Sequence, residues 1–115
     1  MSTLARGFVA AALAALAWAV APAVEAQKPI RIGASASKTG TYAALGQNQL
    51  RGYQLCVKHT NDKGGVLGRK LELVVEDDQS EPATAIRIYE RLIAQDKVDL
   101  VFSPYGTPIT EPVAD

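Results

Sequence analysis

The residues from Lys28 onward predict an α/β chain with a parallel, Rossmann-like sheet in the order β-α-β-α-β-(α). Three short apolar segments read as strands: about Ile30–Ala36, Lys70–Asp77 and Lys97–Ser103. Between them lie two stretches with apolar residues at three-to-four spacing, bounded by Gly or Pro. Strand and helix alternate throughout, which implies parallel neighbours joined by right-handed crossovers.

Residues 1–26 stand apart from that pattern. Arg6 precedes an apolar run from Phe8 to Ala21, Pro22 breaks the run, and Val24-Glu25-Ala26 gives a small-x-small site. This is the layout of a cleavable export signal, with cleavage near Ala26-Gln27. The run of 14 residues falls short of the roughly 20 that span a bilayer as a helix. No stable membrane insertion is expected after cleavage. Residues 27–115 then form one small unit.

Lys and Arg number 12 and Asp and Glu number 12, so the net charge is zero. Without a basic run there is no support for nucleic acid or an anionic membrane surface as partner. Cys56 is the only cysteine, so no internal disulfide can form. It is expected to be a small buried hydrophobe on a helix face.

The first strand leads through KTGTYAALG into a helix expected from Ala44 to Lys63, with Leu45, Gly52, Leu55, Cys56 and Thr60 on its inner face. Gly64 and Gly65 end it, and Gly68 makes a second turn. In the second strand Leu71, Leu73 and Val75 alternate with Lys70, Glu72 and Val74. Ser80 is expected to cap the second helix, Pro82 to Gln95, with Glu81 and Pro82 in the first turn. Its stripe is Ala85, Ile86, Tyr89, Leu92 and Ile93. The third strand is mostly apolar, as a buried parallel strand should be. A third helix begins at TPITEPVAD, with Thr107 or Thr110 as cap.

In open α/β sheets ligands bind beyond the carboxyl ends of the strands, where the strand order reverses. If the second and third strands flank the first, the reversal falls between strands one and three. The loops Ser37–Leu45 and Ser103–Thr110 then face each other. Both carry small residues, hydroxyls and one tyrosine each. Backbone N–H groups at a helix start favour a carboxylate, Thr107 adds a hydroxyl, and Tyr42 or Tyr105 supplies an apolar wall with a polar tip. Catalytic signatures do not accompany these loops. The spacings G-x-x-x-x-G-K-[ST] and G-x-G-x-x-G do not occur, and no nucleophile–base–acid set appears. Asp77 and Asp78 read as polar groups closing a strand rather than metal ligands, and His59 as a solvated helix residue. No cofactor is expected, and an exported enzyme of flavodoxin-like topology has no motif behind it.

The ordered set of motifs resembles the periplasmic substrate-binding proteins of branched-chain amino-acid ABC transporters, the leucine/isoleucine/valine-binding type. The matching residues are Ile32-Gly33, Thr39-Gly40 with Ala43 and Gly46, Gly52 and Asn61, Gly64-Gly65 with Gly68-Arg69, Asp77-Asp78, Pro82 with Ala85, and Ser103 to Thr107. Thr60 and Ser103 depart from the pattern, replacing an apolar residue and a glycine. The resemblance implies a two-lobed type I binding fold, of which residues 27–115 are part of the N-terminal lobe and the sequence a truncated record. It implies a non-enzymatic protein of the periplasm that binds an amino acid and partners an inner-membrane ABC permease. It places the ligand carboxylate near Thr107, with Tyr105 and Gly106 beside it, and the side-chain pocket near Tyr42 and Leu45. The alternative it leaves open is a ligand-sensing module of the same fold in a receptor or regulator.

Overall fold

The computed structural model describes residues 27–115. The export signal expected over 1–26 lies outside the described residues. The elements are β1 (Ile30–Ala36), α1 (Ala43–Asp62), β2 (Leu71–Asp77), α2 (Pro82–Ala94), β3 (Leu100–Val101) and α3 (Thr107–Ala114). All strands are parallel, in the order β2-β1-β3. The expected element order and the reversal beside β1 are both present.

β1 is the central strand, and its residues are small because helices cover both faces. From Ile32 to Ala36 every residue is buried. A Cβ on Gly33 would lie 3.0 Å from a Leu92 methyl and 3.1 Å from Val98, so glycine is what lets α2 approach the sheet. Val74, paired with Gly33 across the ladder, joins the cluster of Ile88, Tyr89 and Leu92 on that face. By alternation Ile32, Ala34 and Ala36 point to the other face, and right-handed crossovers that run in opposite directions along the sheet, β1 to β2 and β2 to β3, place α1 there.

Several sequence expectations are corrected. The face of α1 expected to be buried is exposed except at Thr60: Leu45 is 51% and Leu55 54% exposed, and Gly52 and Cys56 are exposed as well. The helix instead turns Gly46, Leu50, Tyr53, Val57 and Thr60 inward. Gly46 fixes that rotation, because a Cβ there would sit 2.3 Å from the Ser37 carbonyl oxygen. At the far end Asn61 locks the same rotation, its amide donating to Leu71 O and accepting from Leu71 N. In α2 the buried residues are Ala85, Ile88, Tyr89 and Leu92, while Ile93 is 61% exposed.

The caps also differ. Glu81, not Ser80, is the N-cap of α2, because the Ser80 hydroxyl is committed to Thr39 O across the loop. Gly106, at φ 78°, is the N-cap of α3, and neither Thr107 nor Thr110 caps it. The Thr110 hydroxyl reaches back to Pro104 O. Finally, β3 is a two-residue edge strand with both residues exposed, not a buried one, since among the described residues only β1 pairs with it.

Candidate functional site

The site is built where β1 and β3 part. Their ladder holds two register pairs, Ile32↔Leu100 and Gly33↔Val101, and closes with Phe102 N donating to Gly33 O. Beyond it the Tyr89 hydroxyl of α2 takes the place of strand pairing. It accepts from Ser35 N at 3.1 Å and donates to Phe102 O. Burial pushes the Tyr89 hydroxyl above its ordinary pKa against the opposing effect of the Ser35 hydrogen bonds, which keeps its proton available for Phe102. The strand-order reversal lies between the loop after β1 and the loop after β3, and the space between these two loops is the crevice expected there.

The first wall is held by two adjacent carboxylates at the end of β2. Asp78 is fully buried. It accepts the hydroxyls of Ser35 at 2.7 Å and Ser37 at 2.6 Å, and the Ser80 N–H at 2.9 Å. Asp77 faces the loop. It accepts Lys38 N, Gln79 N and Thr39 N on one oxygen and the Thr39 hydroxyl on the other. Burial alone would raise its pKa, but the bonds from Thr39, Gln79 and Lys38 outweigh that and lower it. All four carboxylate oxygens are thus occupied by protein donors, which bears out their reading as polar groups closing a strand.

Gln79 and Ser80 both adopt left-handed backbone, φ 57° and 62°, at a cost of roughly 1 kcal/mol each. The turn brings the Ser80 Oγ to Thr39 O at 2.7 Å and to Tyr42 N at 3.0 Å. Gly40 passes so close that a Cβ would lie 2.4 Å from Gln79 O.

The second wall is held from the helices. Tyr53 of α1 donates to Ser103 O at 2.9 Å, and its ring packs on Phe102 with centroids 4.6 Å apart. The Gln49 amide reaches Tyr53 Oη at 2.8 Å and the Pro104 carbonyl at 3.4 Å.

Of the five residues expected at the site, Tyr42 and Tyr105 meet across the crevice, with ring centroids 5.9 Å apart and planes at 52°. Gly106 and Thr107 form the start of α3 beside Tyr105. Ile109 N and Thr110 N turn back to Gly106 O and Pro108 has no N–H, so the helix start offers chiefly the amide and hydroxyl of Thr107. Leu45 lies farther along α1 on its open face. Tyr89, Tyr53 and Gln49 were not singled out for the site. For Tyr89 a signal existed: a tyrosine on a buried stripe needs a partner for its hydroxyl.

A cavity of about 290 Å³ lies against the loop after β3, lined by Tyr89, Phe102, Ser103, Pro104, Thr110 and Val113 among others. It is a gap between α2, α3 and the free edge of β3, and it contains none of Tyr42, Tyr105 or Thr107. Ligand sites combine apolar walls with convergent polar groups, and those groups are in the crevice.

A parallel sheet whose order reverses beside its first strand is the architecture in which small-molecule-binding folds place their ligands. Residues 29–115 match the family model described as periplasmic binding protein, and the chain belongs to that family, a substrate-binding fold and not an enzyme. It is 34% identical over 90 residues to the Leu/Ile/Val-binding protein BraC3 of Rhizobium johnstonii, covering 78% of this chain and 24% of that protein. Among solved structures it resembles the branched-chain amino acid transporter substrate-binding protein LivJ of Streptococcus pneumoniae, in complex with isoleucine. There the TM-score is 0.72 and the identity 34%, over 74% of this chain and 24% of the other. A fatty acid ABC transporter substrate-binding protein from Thermomonospora curvata gives a TM-score of 0.64 and 33% identity over 76% and 22%. The chain spans about a quarter of the length of these relatives.

Proposed function

We propose that this chain forms part of the N-terminal lobe of a substrate-binding component of an ABC transporter. It binds an amino acid of the branched-chain, aliphatic or related amide class in the periplasm, and its partner is an inner-membrane permease. The observation that carries this reading is the Tyr42–Tyr105 pair facing across the strand-order reversal beside the start of α3. The Thr107 amide and hydroxyl suit a ligand carboxylate, with Gly106 and Tyr105 shaping its approach. The two tyrosine rings and Leu45 offer an apolar surface to a side chain. The relatives that carry branched-chain amino acids in their names support the same class.

Calorimetric titration of the full chain with L-leucine, L-isoleucine, L-valine, an aliphatic amide and octanoate tests the reading. Binding of one of the first four, weakened at least fivefold by Thr107→Ala through loss of about 1 kcal/mol, is the expected result. Binding of octanoate alone would reassign the site to a fatty acid, and no heat from any of the five at millimolar concentration would overturn it.

A further inference from the structure

Residues 77–80 do more than connect β2 to α2. Every residue from Lys38 to Tyr42 except Thr41 is held or closely packed by this one turn. Asp77 binds the amides of Lys38 and Thr39 and the Thr39 hydroxyl. Gln79 and Ser80 pack against Gly40. Ser80 takes both Thr39 O and Tyr42 N. Tyr42 is the N-cap of α1 and makes no side-chain cap bond of its own; its carbonyl accepts from Gly46 N within the helix, while its N–H is held by Ser80 from another segment. Two successive non-glycine residues with positive φ, Gln79 and Ser80, persist only where the surroundings determine them. Here they aim one hydroxyl at the residue that carries the aromatic wall.

We propose that Asp77 and Ser80 are positioning residues of the crevice, holding Tyr42 opposite Tyr105 so that the spacing of the two rings is set from the turn after β2. The effect on ligand affinity rests on the binding function proposed above; the placement of Tyr42 does not. Ser80 acts on the crevice through Tyr42 and through the neighbouring Thr39. The core of Ile88, Tyr89 and Leu92 is not part of the device, so it can be disabled without unfolding the lobe.

The test is Ser80→Gly in the full chain, with Gln79→Gly as control. Both substitutions relieve a left-handed backbone, and Ser80→Gly also removes the hydrogen bonds to Thr39 O and Tyr42 N, so a merely structural role predicts at most a change in thermal stability, with the ring contact kept. Positioning predicts that Ser80→Gly alone loses the nuclear Overhauser cross-peak between the Tyr42 and Tyr105 rings. It also predicts that the affinity for L-isoleucine falls roughly five- to tenfold, while Gln79→Gly keeps both. Ser80→Asn adopts the same φ and offers an acceptor for Tyr42 N and a donor for Thr39 O, so it is expected to keep the cross-peak. Retention of the cross-peak in Ser80→Gly, or its loss in Ser80→Asn with the remaining spectrum unchanged, would overturn the proposal. If the unsubstituted chain binds no L-isoleucine, the ligand reading fails for that probe and the cross-peak still decides the placement of Tyr42.

Discussion

On the β2 side of the crevice, residues 37–42 are bound at nearly every step to Asp77, Asp78 and Ser80, and the Asp78 carboxylate is fully buried. On the β3 side, a two-residue strand leads to a loop held by three side chains reaching out of helices: Tyr89, Tyr53 and Gln49. The first wall is fixed by neighbours along a seven-pair ladder. The second wall depends on packing contributed by distant segments. Under the proposed function, the first side would fix the ligand's position, and the second, held by fewer and longer-range contacts, would be the one to yield to its size.

The largest effect should come from breaking the firm wall at its root. Asp78→Ala strands two buried serine hydroxyls and the Ser80 amide. A loss of about 3 kcal/mol in unfolding free energy is expected, since each orphaned buried polar group costs roughly 1–3 kcal/mol. Urea denaturation measures it. A loss under about 1 kcal/mol would show that the wall stands without its carboxylate and would erase the contrast between the two sides.

Tyr89→Phe probes the other wall. It removes one oxygen and leaves Ser35 N and Phe102 O without their shared partner. The expected cost is about 2 kcal/mol, smaller than for Asp78 because no charge is involved and the ring still packs. Amide exchange sharpens the comparison: protection at Phe102 and Ser103 should fall while that of Lys38 and Thr39 stays. Equal loss on both sides would mean that the crevice is one cooperative unit.

Acid acts on the firm wall alone and more gently. Asp77 has a folded pKa below its ordinary 3.8, so the unfolded chain binds its proton first. Its contribution is complete above the unfolded value and is lost as pH falls through the lower folded value. Stability followed from pH 5 downward should therefore decline with a component absent from Asp77→Asn. The groups that bind Asp77 are the amides of Lys38 and Gln79 and the amide and hydroxyl of Thr39. Parallel curves for the two proteins would rule the carboxylate out as the acid-sensitive tie.

What the sequence made legible follows the same division. Strand-and-helix alternation, the glycine turns and the reversal beside β1 are encoded locally, and so were the two loops that face each other. Non-local contacts were not visible. Ser80 looked like a cap because Ser-Glu-Pro usually begins a helix, yet its hydroxyl is taken by Thr39, which lies 41 positions earlier. β3 looked buried because Val98, Leu100, Val101 and Phe102 are apolar, yet its position at the edge leaves Leu100 56% exposed.

The inner face of α1 was misread for a related reason, and it yields the smallest of the expected effects. Leu45, Leu55 and Cys56 form as regular an apolar stripe as Leu50, Tyr53 and Val57, and periodicity alone cannot choose between two faces of one helix. Gly46 chooses, since only glycine fits against the Ser37 carbonyl. Cys56→Ser should then change stability by less than about 0.5 kcal/mol, as an exposed substitution does. Val57→Ala, on the half-buried face, should cost roughly 1 kcal/mol for its lost methyl groups. Gly52→Ala meets no atom within 4 Å and should stabilise the helix by about 0.5–1 kcal/mol, whereas the same change at Gly46 should destabilise it. Thermal melts of these four variants read the rotation of α1 directly. If Cys56→Ser cost more than Val57→Ala, the helix would be turned the other way, Tyr53 would no longer reach Ser103, and the adjustable wall would lose one of its supports.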